Sequence, residues 1–152
     1  MATRTTAAPV LRRGFADAIL NHLSGSDTTS LTLTPVVHLI GATPPSVTPD
    51  TTLASFTAAE AAFSGYGAAS VTLSGPVNPG PNSQALAAGA LYIGNSTTTF
   101  NQDTITGYYT TSGGNWQQAE LFADGQQVPI AANGDFLDLL LLVTLSLRPP
   151  LT

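Results

Sequence analysis

The spacing of apolar residues divides the chain into a short helical opening and a long series of strands. Residues 1–10 show no period and read as an extended arm. Over residues 11–23, Leu11, Phe15, Ala18, Ile19 and Leu23 fall at helical spacing and line one apolar stripe. Ser24-Gly25-Ser26-Asp27 stops that helix, with a glycine at the C-terminal cap and turn residues after it. The period then becomes two. Leu31-Thr32-Leu33-Thr34 alternates strictly and runs into the more buried Val36-Val37-His38-Leu39-Ile40, with Pro35 marking a bulge or a sheet edge. The prolines Pro44, Pro45 and Pro49 predict a loop over 41–50. A short helix is possible within the alanine-rich 53–62, ended by Ser64-Gly65-Tyr66-Gly67, before alternation resumes over 69–73. The dense Gly-Pro and Asn-Pro-Gly-Pro signals of 74–83 predict an exposed loop.

Further strands are expected over 84–94, 97–100, 104–111, 116–123, 127–130 and 135–147. Ser112-Gly113-Gly114-Asn115, Asp124-Gly125 and Asn133-Gly134 read as hairpin turns between them. Short strands at regular spacing with such turns predict a mainly β fold. The expected form is an antiparallel β-sandwich, jelly-roll or immunoglobulin-like, with one short N-terminal helix. In the last strand Leu137, Leu139, Leu141, Val143, Leu145 and Leu147 share one face, while Leu140 and Leu142 make the other apolar too. A strand apolar on both faces is expected to be covered on both, by the N-terminal helix or by another subunit. No internal repeat or linker-like tract is visible. The expected organisation is a basic arm over 1–13 and one β domain over 14–152, with the helix near 11–23 spanning their junction.

Composition sharpens this picture. Of 152 residues 43% are hydrophobic but only 9% charged, against about 25% in ordinary soluble domains. Hydroxyls and amides therefore wet the surface, and such a surface resists association less than a charged one. The expectation is a protein packed among neighbours; a compositional bias of the source organism is the bland alternative. The only cations are Arg4, Arg12, Arg13 and Arg148, so residues 14–147 contain no lysine or arginine and hold all nine acids. An acidic body without cations cannot neutralise phosphates, which argues against nucleic-acid binding. The absence of cysteine excludes disulfides, thiol catalysis and cysteine-ligated zinc. No secretory signal is legible, and the longest apolar run, 136–147, is too short to cross a bilayer and contains Asp138. A soluble, non-membrane protein is expected.

Candidate chemistry is sparse. His22 and His38 have no cysteine or acid at ligand spacing, so both read as structural, and no metal site or cofactor is expected. Asp135 and Asp138 would point to opposite faces of a strand, and Asp124 and Asp135 read as turn residues. No nucleophile elbow or phosphate-binding loop occurs. No catalytic residue is assigned, and the chain is expected not to be an enzyme. Tyr108, Tyr109 and Trp116 flank the Gly113-Gly114 turn and offer possible glycan-stacking rings, unless alternation turns them into the core.

The order of several weak motifs resembles that of small virion structural proteins of tailed bacteriophages. These are the helix Phe15-Ala16-Asp17-Ala18-Ile19-Leu20-Asn21-His22-Leu23, the strand 31–40, the Pro/Thr loop 43–52 and Phe63-Ser64-Gly65-Tyr66 before Val71-Thr72-Leu73. Ile105-Thr106-Gly107-Tyr108-Tyr109-Thr110-Thr111, Ala119-Glu120-Leu121-Phe122 and Ile130-Ala131-Ala132-Asn133-Gly134-Asp135 follow, so the likeness covers roughly 14–147. The resemblance implies a virion location and a role as capsid decoration or cement protein, with a tail-associated or tail-fibre-like glycan- or receptor-binding module as the alternative. The partner would be the major capsid protein or another virion protein, with a homo-oligomer, such as a trimer, at local symmetry sites. Arg4, Arg12 and Arg13 are the residues expected to dock on an acidic partner surface. Leu139, Leu140 and Leu142 are those expected in core or subunit contact.

Overall fold

Alternation of apolar and polar residues organises the chain into antiparallel sheets. The computed structural model describes residues 10–25, 34–80 and 83–146. A five-stranded sheet has the order β1 (Val10–Leu11), β8 (Asn115–Leu121), β7 (Gly107–Ser112), β2 (Val36–Ile40) and β3 (Ala69–Ser70). A three-stranded sheet has the order β10 (Phe136–Ser146), β5 (Ser83–Ile93) and β4 (Ser74–Gly80), and a short ladder joins β6 (Asp103–Ile105) to β9 (Val128–Ile130). Helices α1 (Arg13–Leu23) and α2 (Leu53–Ala58) complete the described fold, which is mainly β and sandwich-like.

The larger core lies where the three sheets meet. Val37, Leu39 and Tyr108 of the five-stranded sheet pack with Ala90, Tyr92, Leu137, Leu139 and Leu141 of the three-stranded sheet, and with Ile105, Val128 and Ile130 of the ladder. A second core covers the opposite face of the five-stranded sheet, where Ile40, Tyr109, Trp116 and Ala119 meet Phe56 of α2. The Thr52 side chain caps α2 by accepting a hydrogen bond from the Ser55 amide at 3.2 Å. Trp116 and Ala119 are three apart and would face opposite ways on a regular strand. A bulge opposite Thr110 and Thr111 absorbs Gln117, so both side chains reach the same core as Tyr109.

Several elements differ from the sequence reading for identifiable reasons. The expected arm boundary at residue 13 falls inside the fold: Val10 and Leu11 pair with Ala119 and Gln118, and α1 begins at Arg13. Residues 1–9, 26–33 and 147–152 lie outside the described residues, so the first part of the strand expected over 30–40 does too. The loop expected over 74–83 is instead β4 up to Gly80, an edge strand with two register shifts, the setting in which prolines are tolerated. No strand forms over 97–100, because Ser96 and Asn133 side chains take the local backbone groups into turns. The strand expected over 104–111 splits at Thr106 into β6 and β7, which join different sheets. Thr106 donates its hydroxyl to Gly41 O at 2.7 Å at this switch. The Gly113-Gly114 hairpin is present, with φ of 58° and 78°. Gly125 and Gly134 also have positive φ, but the strands they join pair elsewhere, so neither turn closes a hairpin.

Candidate interaction surface

β10 presents two unlike faces. Leu137, Leu139 and Leu141 point into the sandwich and are buried, whereas Leu140 is 65% exposed. Register then groups the outward residues. Phe136 lies opposite Ile93, Asp138 opposite Leu91, and Leu140 opposite Gly89. Phe136 (63%), Leu91 (58%) and Ile93 (48%) are exposed as well, which makes an apolar patch interrupted by one carboxylate. Of the leucines expected in contacts, Leu139 is a core residue and Leu140 an outward one. Leu142 continues the ladder opposite Ala87, with its side chain outside the described residues. The helix does not supply the outer cover. Phe15 of α1 shares a small cavity with Leu141, Thr110 and Gln118, on the inner side of the sheets.

Arg12 and Arg13 sit at the edge of the five-stranded sheet. Arg4 lies outside the described residues. Arg12 donates its backbone N–H to Gln117 O at 2.9 Å and its Nη1 to Asn115 Oδ1 at 2.9 Å. Arg13 makes a two-pronged ion pair with Asp50, both distances 2.9 Å, with both side chains about two-thirds exposed. The hydrogen bond from the Arg13 guanidinium holds the Asp50 carboxyl below the usual carboxylate range. Both arginines border a cleft of about 360 Å³ with Asn115 and Trp116.

The three aromatic candidates are in the cores. Tyr108, Tyr109 and Trp116 are 4%, 1% and 2% exposed. Tyr108 donates to Glu120 Oε2 at 2.8 Å, and Trp116 Nε1 donates to Thr51 O at 2.6 Å. Alternation places the two tyrosines on opposite faces of β7, and the second core seats Trp116 under α2. None of them offers a ring face on which a sugar could stack.

A polar cluster that spacing does not reveal lies along β2, where Glu60 bridges to Ile40. Glu60 Oε1 accepts from His38 Nδ1 at 2.9 Å and from Tyr66 OH at 2.7 Å, while Oε2 accepts from Tyr109 OH at 3.0 Å. His38 Nε2 lies 3.0 Å from Thr111 Oγ1, and the imidazole stacks on Tyr109 with ring centroids 4.5 Å apart. Tyr66 OH also accepts the Leu39 N–H at 3.1 Å, beside the bridge in which Leu39 O takes the Ala61 N–H and Ile40 pairs with Glu60. Desolvation pushes Glu60 up, but the hydrogen bonds from His38, Tyr66 and Tyr109 outweigh it, and its pKa is lowered. An ionised carboxylate only accepts, so His38 Nδ1 carries a proton. The order hydroxyl, imidazole, carboxylate imitates a nucleophilic relay. Here it is a clasp: the same carboxylate is saturated by two phenols, and Tyr109 covers a face of the ring. His38 was readable as structural, but its partner is 22 residues away across the 41–59 excursion, and no local signal marks it. The His22 side chain lies outside the described residues. Among the described residues no group of three or more His, Cys, Asp or Glu side chains is placed to hold a metal ion. No helix among them is long and apolar enough to cross a membrane. No protein-family model, curated protein or solved structure matches the chain.

Proposed function

We propose that the chain is a structural protein of a tailed-phage particle. In this reading it decorates or cements the head by packing against the major capsid protein or another virion protein. The observation that carries the reading is the exposed apolar outer face of the β10–β5 pair, formed by Phe136, Ile93, Leu91 and Leu140. Exposed patches rimmed by polar residues mark association surfaces. Covering the exposed part of each side chain contributes roughly 1 kcal/mol, so one copy gains a few kcal/mol. A lattice that engages many copies multiplies that gain. The low charge of the chain supports the same role, because little repulsion opposes close neighbours.

Copy number in purified particles tests this directly. Decoration requires on the order of hundreds of copies, set by the symmetry of the shell; a few to a few dozen would move the protein to the tail and sink the proposal. Particles assembled without it are expected to lose resistance to heat and low salt. Unchanged resistance would remove the cement role.

A further inference from the structure

Arg12 and Arg13 stand side by side but differ in what balances them. Arg13 is neutralised by the fork of Asp50. Arg12 has no acid partner among the described residues: its Nη1 is given to the neutral Asn115 Oδ1, and its Nε is buried with no partner. Its Nη2 lies over Gly14, where a Cβ would come within 2.9 Å of it, so the glycine makes room for the guanidinium. Arg12, Arg13 and Asp50 all border the 360 Å³ cleft. Among the residues that line it, two cations and one anion leave one positive charge, although Asp17 further along α1 also acts on Arg13, in a chain whose net charge is −5. The start of α1 adds its partial positive charge to the same place.

We propose that this cleft binds a carboxylate carried by an acidic segment of a partner protein, held by the guanidinium of Arg12. A planar guanidinium pairs with a carboxylate in matched geometry, and one uncompensated charge suits one negative group. Dense polyanions are disfavoured, because Asp50 stands at the rim and the body of the chain is acidic. The inference is independent of the virion role: it requires a partner with an exposed Asp or Glu, whatever the assembly.

The test is an NMR titration of the full chain with hexaglutamate, with hexalysine and inorganic phosphate as comparators. The Trp116 indole N–H and the Asn115 side-chain amide are the reporters. Hexaglutamate is expected to give saturating shifts at low ionic strength, with a Kd in the ~mM range. Arg12→Gln should weaken that binding roughly tenfold or more, the scale of a lost charge-assisted hydrogen bond. Asp50→Asn should tighten it severalfold, because the fork of Arg13 is then released. The proposal is overturned by an absence of saturable shifts, by unchanged binding in folded Arg12→Gln, or by phosphate binding more tightly than the peptide. Should Arg12→Gln not fold, Asp50→Asn decides alone, since it alters an exposed pair, and unchanged or weaker binding there refutes the proposal.

Discussion

At Glu60 one carboxylate ties together three parts of the chain: β2 through His38, β7 through Tyr109 and the 64–67 turn through Tyr66. Glu60→Gln keeps the shape but replaces one acceptor oxygen by a donor, which then faces a phenol or an imidazole N–H. A cost of about 2 kcal/mol is expected, the scale of hydrogen bonds to charged groups, measured by urea unfolding. The pH dependence follows from the lowered pKa of Glu60. A group depressed in the folded state contributes stability that is complete above its unfolded value and is lost as pH falls through the folded one. The wild type should therefore lose stability progressively below about pH 4.5, more steeply than Glu60→Gln. Equal slopes would show that the clasp contributes nothing. The phenols act at the other end of the scale. All four tyrosines, Tyr66, Tyr92, Tyr108 and Tyr109, have pKa values raised above 10, with burial as the largest cause in each. A raised acid favours its neutral form in the fold, so this contribution is present below pH 10 and is lost as pH rises past it. Phenolate absorbance is expected to appear together with loss of near-ultraviolet circular dichroism. Ionisation of the tyrosines in a folded chain would contradict the buried network.

Among the elements, β5 and β7 give the sharpest contrast, because each contains a glycine in a strand and the two have opposite surroundings. A Cβ on Gly107 would overlap the carbonyl oxygen of Glu120 and crowd Leu121, both held by the ladder. Gly107→Ala should therefore cost several kcal/mol, since backbone rather than a flexible side chain has to move. A Cβ on Gly89 meets nothing within 4 Å, and there Ala should stabilise by about 0.5–1 kcal/mol by restricting the unfolded chain. Thermal unfolding of both variants checks the pair. These glycines also mark how far the sequence could be read. Period-two alternation in Leu137, Leu139 and Leu141 located β10 and its inner face, because burial of one face is a local, repeating constraint. The helix stop at Gly25 and the Gly113-Gly114 turn were legible for the same local reason. The split at Thr106 and the bulge at Gln117 were not, since each is decided by which sheet a strand finds, and that partner is far off in sequence. The site divides likewise. Alternation put Leu140 on the face opposite Leu139, and the cation-free body marked Arg12 together with Arg4 and Arg13, but the Glu60 clasp exists only through long-range pairing.

For the molecule as a whole, apolar surface is divided between the two faces of one strand, and under the proposed function folding draws on one face and association on the other. The inner face of β10 closes the core, and the outer face leaves Phe136 and Leu140 in water beside Leu91 and Ile93 of β5. Adjacent leucines should then have opposite phenotypes. Leu139→Ala empties part of the core and should cost roughly 2–4 kcal/mol of folding stability. Leu140→Glu adds a charge to an outward, 65% exposed position and should change folding stability by no more than about 0.5 kcal/mol. Its effect should fall on assembly. A charge pressed into an apolar interface is desolvated without a partner, and Asp138 already supplies one negative charge nearby on that face. Incorporation of Leu140→Glu into particles, measured against wild-type chain in the same assembly reaction, should fall at least tenfold, while its unfolding midpoint stays within that small margin of the wild type. Normal incorporation of a folded Leu140→Glu would mean that the outer face of β10 is not where the chain meets its neighbours.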